Sequence, residues 1–193
     1  NGHHINIPSW EAFCKMFLPK DSEIISFRAV DVNSKNNDWD ICCALSNSDT
    51  FEHISVINGL NIINGGTHIT FVQDCFKDII NNELKKMFKD LSRVNKNMFL
   101  NELFLFVKCT IEEPQFTAQI KNEIKDDLRK YQVKIDEKDI MRVWKMIKEI
   151  IEFKQYKKEA AKSISTMGKE LHIKNYTPAD LSTSKTSAER LKC

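Results

Sequence analysis

The sequence predicts an α+β fold, with helices on one face of a sheet, from three observations. Residues 38–46 and 51–58 alternate apolar and polar side chains and are rich in strand formers, a pattern typical of half-buried strands. Residues 68–88 carry apolar side chains at helical spacing. Residues 99–111 are the most apolar run, and within it 104–107 predict a central strand buried on both faces. This order of elements favours the α+β class.

The N-terminal elements follow from apolar spacing and turn residues. Residues 10–18 have helical periodicity that stops at Pro19, so we expect a short helix there. A polar turn at 47–49 separates the first two alternating runs. The sequence therefore predicts that 38–46 and 51–58 pair as an antiparallel hairpin.

Two longer helices accompany the central strand. An apolar stripe runs along 68–88, and lysines crowd its C-terminal end, where cations stabilise the helix dipole. Pro114 ends the apolar run, a loop follows, and residues 137–165 again show a helical stripe. At about 1.5 Å per residue this last helix would be roughly 40 Å long. We expect it to project from so small a domain.

The composition is that of a globular protein, with 41% hydrophobic and 29% charged residues and a net charge of +2. No run reaches the roughly 18 apolar residues that span a bilayer, so no membrane partner is predicted. The six cysteines form no C-x-x-C pair and lack histidines at zinc-finger spacing, which indicates free thiols in a reduced, intracellular protein.

No metal ligand or catalytic side chain is predicted within the chain. Asp38, Asp40 and Asp49 cluster around turns, where the turn conformation alone accounts for such residues. His53 and His68 have no Ser or Cys at suggestive spacing. We therefore interpret both histidines as core or capping residues.

Two short segments attract a functional interpretation. Gly65 and Gly66 allow a turn that a Cβ would forbid, and Thr67 is expected to cap the following helix. Gln119 and Lys121 lie in the loop after the central strand, where a lysine can act as a point charge for a γ-phosphate and a glutamine as a second donor. The nucleotide would come from elsewhere, since the chain has no phosphate-cradling glycine-rich motif. An ordinary solvated loop is the alternative.

The order of these segments carries a resemblance to a known family. A strand at 54–58 leads into Gly-Gly-Thr-His at 65–68, and a strand at 104–110 leads through Glu-Pro at 113–114 into Gln-Ile-Lys at 119–121. This arrangement resembles the transducer domain of type IIA DNA topoisomerases, closest in style to the eukaryotic and large-DNA-virus enzymes. The likeness covers nearly the whole chain.

The resemblance implies a fold like domain 2 of ribosomal protein S5, with a mixed sheet, a left-handed βαβ crossover and a long C-terminal helix. It implies that Lys121 contacts the γ-phosphate of ATP, that Gln119 supports this contact, and that an upstream ATPase domain holds the nucleotide. The middle threonine of the family loop is Ile120 here, so this chain lacks that hydroxyl.

The resemblance also implies a parent enzyme. That enzyme would be an ATP-hydrolysing DNA topoisomerase, an isomerase that passes one DNA duplex through a transient break in another. It would act as a homodimer with Mg²⁺, in the nucleus or, for a viral enzyme, in the host cytoplasm or nucleus. The chain alone is expected to be an inactive monomer without a bound cofactor, which couples the nucleotide state to movement of the DNA gate.

A lysine-rich loop in eukaryotic members of the family faces double-stranded DNA. The matching basic residues here are Lys85, Lys86, Lys89, Arg93 and Lys96. Contacts from such residues to phosphates would be salt-sensitive and independent of base sequence. A solvated helix end is the alternative.

On this basis the chain divides into four parts. Residues 1–28 are predicted to be a connector from the upstream ATPase domain, 29–136 the transducer core with the Gln-x-Lys loop, 137–167 the long helix, and 168–193 a linker towards a Toprim domain. Both ends are those expected of a segment cut from a longer chain.

Two other functions remain open from the sequence. One is the middle domain of a related ATPase of mismatch repair or of a chaperone, which shares the fold and an analogous lysine. The other is a stand-alone nucleic-acid-binding module that uses the lysines at 85–96. The second alternative predicts salt-dependent DNA binding that does not depend on Lys121.

Overall fold

The computed structural model describes residues 7–31, 39–48, 50–88, 97–127 and 131–170. The contacts divide the chain into two compact units, Asn1–Glu152 and Phe153–Cys193. The elements, in chain order, are α1 (Trp10–Lys15), β1 (Ile24–Asp31), β2 (Trp39–Leu45), β3 (Glu52–Ile57), β4 (Leu60–Asn61), α2 (Thr67–Met87), a 3₁₀ turn (Met98–Glu102), β5 (Leu103–Cys109), β6 (Val133–Lys134) and α3 (Glu137–Glu170).

The six strands form one mixed sheet in the order β4-β3-β5-β2-β1-β6. β5 lies between β3 and β2, parallel to β3 and antiparallel to β2. Five of its seven residues are buried, because a strand with neighbours on both sides and cover on both faces needs apolar side chains throughout. The predicted central strand and the α+β class are confirmed.

The predicted hairpin between 38–46 and 51–58 is wrong. β2 pairs instead with β1, in a register that places Ile25 opposite Cys43 and Phe27 opposite Ile41. β5 is inserted between β2 and β3 because it is the more apolar strand and gains most from a central position. The predicted boundary at residue 28 falls inside β1, so part of the predicted connector belongs to the sheet.

The sheet is covered on both faces, which corrects the prediction of helices on one face. Alternate side chains of β2 and β5 point to opposite sides, so the adjacent Cys42 and Cys43 lie on different faces. The larger core unites one face with α2 and the first turns of α3. On the other face α1 contributes Cys14 to a smaller cluster with Cys42, Ala44 and Phe106.

The two long helices match their predicted positions closely. α2 buries one stripe made of Ile69, Val72, Phe76, Ile80 and Leu84, and α3 buries Ile140, Val143, Trp144, Ile147 and Ile151. Each large apolar side chain that is fully buried contributes about 1.5–3 kcal/mol relative to exposure. α3 continues past the predicted boundary at 167 to Glu170. Its projection from the domain stays a prediction.

The ends of β3 and β5 are joined by one side chain. The Nδ2 of Asn58 donates to the carbonyl of Ile111 at 2.9 Å, and its Oδ1 accepts from the amide of Ile111 at 3.0 Å. Because β3 and β5 are parallel, their C-terminal ends lie at the same edge of the sheet. The segments that leave these strands, residues 58–66 and 110–125, therefore start side by side.

Candidate functional site

The two segments singled out in the sequence meet in the structure. Gly66 and Ile124 form a parallel bridge. The amide of Ile124 donates to the carbonyl of Gly65 at 3.1 Å, and the amide of Thr67 donates to the carbonyl of Ile124 at 3.1 Å. The amide of Asn64 donates to the carbonyl of Asn122 at 2.9 Å. The Gly-Gly turn thus holds the loop that carries Gln119 and Lys121 by its backbone.

Gly66 is required by this close approach to the loop, and Gly65 packs against His53 of β3. Gly65 and Gly66 have φ values of +69° and +128°, which side chains with a Cβ rarely adopt. A Cβ on Gly66 would lie 2.1 Å from the carbonyl oxygen of Ile124, and one on Gly65 would lie 2.7 Å from Nε2 of His53. The two glycines lie in the turn before α2, and the absence of a side chain at Gly66 makes room for the loop.

The loop presents Gln119, Ile120 and Lys121 at an exposed tip. Its neck is a short antiparallel ladder in which the amide of Thr117 donates to Glu123 at 3.1 Å and the amide of Lys125 donates to Gln115 at 2.9 Å. Ile120 is 82% exposed.

Lys121 itself closes the turn at the tip. Its amide donates to the carbonyl of Ala118 at 3.1 Å, and its φ of +55° lies in the left-handed region. Its ammonium lies 5.6 Å from the centre of the Phe116 ring, within cation–π range. The amine is therefore a solvent-exposed cation whose base is fixed by the backbone.

The predicted capping role of Thr67 is wrong. The N-cap of α2 is Gly66, which makes no side-chain capping bond, and Thr67 is the first helical residue. Its hydroxyl instead lies 3.0 Å from the hydroxyl of Tyr131 and accepts from the amide of Asp126 at 3.1 Å. Thr67 therefore belongs to α2, and the turn before the helix contains Gly65 and Gly66.

Asp126 and Tyr131 complete a buried polar network behind the loop. The hydroxyl of Tyr131 donates to Oδ2 of Asp126 at 3.2 Å, and Oδ1 of Asp126 accepts from the amide of Gln115 at 3.1 Å. Asp126 is 5% and Tyr131 is 7% exposed. Burial raises the pKa of Tyr131 above its ordinary value, so its hydroxyl keeps its proton and remains a donor.

Of the two histidines expected to be core or capping residues, His68 is a core residue and His53 is half-buried in β3. His68 is fully buried in the first turn of α2, and burial, with a contribution from His53, lowers its pKa to about 3. Burial also lowers the pKa of His53. Both rings are therefore neutral near pH 7.

The predicted basic cluster is described only at its start. Lys85 and Lys86 are exposed in the last turn of α2, and Lys86 donates to Glu83 at 2.6 Å. That hydrogen bond raises the pKa of Lys86. Lys89, Arg93 and Lys96 lie outside the described residues.

No group of three or more His, Cys, Asp or Glu side chains able to hold a metal occurs in the part of the chain that the structure describes. Within the same ranges, no helix is long and apolar enough to cross a membrane. A cavity of about 660 Å³ beside β1, β6 and the start of α3 is lined by Arg28, Val30, Lys134, Asp136, Glu137 and Asp139. It includes none of the predicted site residues.

Sequence reasoning missed Asn58, Asp126 and Tyr131. A signal for Asn58 existed: Asn-Gly between two apolar runs is a strong hairpin signature, and both Asn58 and Gly59 have positive φ in the turn from β3 to β4. Asp126 stands in the charged run Lys-Asp-Asp, which reads as solvated surface. Nothing local indicates that its carboxylate is buried.

The mixed sheet and its two covered faces define the class of fold seen in the ATPase regions of type II DNA topoisomerases. The crystal structure of the ATPase region of Saccharomyces cerevisiae topoisomerase II matches with a TM-score of 0.66 and 24% identity, over 80% of this chain and 38% of that chain. The structure of the ATPase and transducer domains of DNA topoisomerase II from Balamuthia mandrillaris matches with a TM-score of 0.65 and 20% identity, over 78% and 37%.

The chain belongs to the DNA gyrase B family, whose model matches residues 10–166. It is similar to a protein named probable DNA topoisomerase 2 from Dictyostelium discoideum, at 26% identity over 172 residues, and to DNA topoisomerase 2 from Candida albicans, at 28% over 140 residues. These alignments cover 86% and 64% of this chain but only 11% and 9% of the relatives. The chain thus spans about a tenth of their length.

Proposed function

We propose that this chain is the transducer domain of an ATP-dependent type II DNA topoisomerase, which senses the γ-phosphate of ATP through Lys121 and Gln119. Family membership and the fold support the class of enzyme. One matching structure spans both ATPase and transducer domains, and this chain covers 37% of it. The observation that carries the proposal is the exposed Lys121 at the tip of a loop whose base is fixed to the start of α2.

The chemistry of the tip suits a phosphate. An ammonium donates up to three hydrogen bonds, and the amide of Gln119 adds neutral donors, so both groups match phosphate oxygens. The exposed tip allows a nucleotide held by an upstream domain to meet the lysine. Loss of the γ-phosphate would remove the partner of Lys121, and this is how the domain would register hydrolysis.

The test is ATP hydrolysis by the full-length parent enzyme with Lys121→Asn. Asparagine tolerates the left-handed backbone of residue 121 far better than alanine, so this variant removes the charge and spares the turn. Lys125→Asn is the matched control, because Lys125 is an exposed lysine at the neck of the same loop. We expect Lys121→Asn to lower kcat at least tenfold, about 1.4 kcal/mol of transition-state stabilisation, and the control to change it by less than twofold.

Equal rates for wild type and Lys121→Asn would reject the γ-phosphate role. Lys121→Arg separates two versions of the proposal. Recovery of most of the rate indicates that a cation suffices, and no recovery indicates that the compact ammonium is needed.

Double-stranded DNA is the second proposed partner. Lys85 and Lys86 occupy the C-terminal turn of α2, and the sequence continues with Lys89, Arg93 and Lys96. Lys85 is the stronger of the two described candidates, because Lys86 is engaged by Glu83. The parent would be a homodimer in which this domain lies between an ATPase domain and a Toprim domain, in the nucleus or at a viral replication site. Mg²⁺ would be held by other parts of that parent.

A further inference from the structure

The hydroxyls of Thr67 and Tyr131 and the carboxylate of Asp126 form a closed ring of hydrogen bonds. The hydroxyl of Tyr131 gives its single proton to Oδ2 of Asp126 at 3.2 Å. The hydroxyl of Thr67, 3.0 Å away, therefore donates to the oxygen of Tyr131. The amide of Asp126 then donates to Oγ1 of Thr67 at 3.1 Å and closes the ring. Each of these donors and acceptors has a partner, as buried polar networks require.

This hydrogen-bonded ring is connected to the base of the loop. The second oxygen of Asp126 accepts from the amide of Gln115 at 3.1 Å, and Gln115 also accepts from the amide of Lys125 at 2.9 Å. Residues 115 and 125 are the two ends of the loop that carries Lys121. Asp126 thus holds the first residue of the loop through its side chain, and its backbone amide, which follows the last residue of the loop, is bonded to Thr67.

The residues of this hydrogen-bonded ring contact both α2 and the sheet. Thr67 is the first residue of the 21-residue helix α2. The ring of Tyr131 packs edge-on against Trp39, at 5.3 Å between centroids, and against Phe71, at 5.6 Å. Trp39 belongs to β2 and Phe71 to α2, so Tyr131 connects the loop to both the sheet and the helix.

We propose that Thr67, Asp126 and Tyr131 are positioning residues that set the reach and direction of Lys121, an inference that rests on the proposed γ-phosphate role. Asp126 and Tyr131 are buried behind the loop, whereas Lys121 is exposed at its tip. The three positioning residues fix the base of the loop so that the lysine meets the phosphate without first ordering the eleven residues 115–125, and such preorganisation lowers the cost of reaching the transition state.

Two variants isolate the hydroxyls without leaving cavities. Tyr131→Phe keeps the ring that packs on Trp39 and Phe71, and Thr67→Val keeps the size of the side chain. Thr67→Ser restores the hydroxyl and serves as the rescue variant. Tyr156→Phe is the matched control, because its hydroxyl belongs to a tyrosine that is 70% exposed.

The first readout is amide hydrogen exchange in the full-length parent enzyme. Tyr131→Phe and Thr67→Val should speed exchange at the bonded amides of Thr117, Ile124 and Lys125 at least fivefold, while Thr67→Ser and Tyr156→Phe leave it unchanged. This readout does not depend on the role of Lys121. Unchanged exchange in both hydroxyl-deleting variants would overturn the inference whatever hydrolysis shows.

The second readout is kcat for ATP hydrolysis in two backgrounds. We expect Tyr131→Phe to lower kcat about fivefold with an unchanged KM when Lys121 is present, and to have no effect when Lys121→Asn is present. A fivefold loss in both backgrounds would overturn the positioning role, since it would mean an effect through general stability. If Lys121→Asn alone does not change kcat, the proposed function fails. Faster amide exchange in the loop of the hydroxyl-deleting variants would then show that the network stabilises the loop without a role in hydrolysis.

Discussion

At the scale of single residues, Lys121 and His68 each depart from the usual preference of their residue type. Lys121 carries a long side chain at φ +55°, a region that costs a non-glycine residue energy. His68 is buried with no hydrogen-bond partner for either ring nitrogen. Both residues lie in segments that the resemblance marks as specific. The exception at Lys121 is of the kind that is typical of functional sites.

The buried His68 predicts a pH-dependent stability. Its pKa is about 3 in the folded protein and about 6.5 when unfolded, so below pH 6.5 the unfolded chain binds more protons. The stabilisation from a neutral His68 is complete above pH 6.5 and is lost as the pH falls towards 3. Between pH 7.5 and 5.5 the loss should be about 1.4 kcal/mol.

Urea unfolding of wild type and His68→Gln at the two pH values measures this loss. Glutamine does not titrate, so the difference in unfolding free energy between the two proteins should narrow by the stated amount at pH 5.5. A difference that does not change with pH would show that His68 titrates normally in the folded state.

At the scale of elements, the contact between the Gly-Gly turn and the loop decides whether the site forms. The parallel pairing of β3 and β5 brings the two segments to one edge of the sheet, and the bridge between Gly66 and Ile124 joins them. The first residue of α2, Thr67, is bonded directly to the loop, because its amide donates to the carbonyl of Ile124.

A pair of glycine variants tests this contact. Gly66→Ala places a Cβ 2.1 Å from the carbonyl oxygen of Ile124, whereas Gly59→Ala meets nothing within 4 Å. Both glycines have positive φ, so both variants carry a backbone cost. The cost is larger at Gly66, whose φ of 128° and ψ of −157° are adopted almost only by glycine, and Gly66→Ala also adds a clash. We expect Gly66→Ala to destabilise the protein by about 2 kcal/mol more than Gly59→Ala.

Thermal unfolding compares the two glycine variants directly. The larger loss should be accompanied by faster exchange of the loop amides in Gly66→Ala alone. Equal losses in the two variants would mean that the loop moves aside at no cost and is not held by the turn.

At the scale of the whole molecule, the net charge of +2 neither requires nor excludes a polyanion partner. The relevant quantity is the number of phosphates that particular lysines neutralise, because each contact releases condensed counterions. Lys85 at the end of α2 and Lys158 on α3 are both exposed, which makes them a matched pair.

DNA binding by the parent enzyme, measured as a function of salt, separates the two lysines. Lys85→Gln should reduce the slope of log affinity against log salt by about 0.9, the value for one phosphate contact on duplex DNA. Lys158→Gln should leave the slope unchanged. The same slope for Lys85→Gln and wild type would make the end of α2 a solvated helix terminus.

The spacing of apolar residues predicted the long elements, because each long helix or strand buries one face and that face determines the spacing. It located α2, α3 and the central strand to within a few residues. It missed the pairing of β2 with β1 and the buried carboxylate of Asp126, because both depend on partners far along the chain. The position of Lys121 was predictable, and the network that holds its loop was not.

The bond between Asn58 and Ile111 has a consequence for how the protein folds. It joins residues 53 apart, and the parallel pairing of β3 with β5 spans a similar separation. The antiparallel β1–β2 pair closes a much shorter loop, and long closures are entropically disfavoured early in folding. We expect β1 and β2 to pair first and β3 to join β5 late, so an incompletely folded chain would have its hairpin but not yet a lysine held where a phosphate could be recognised.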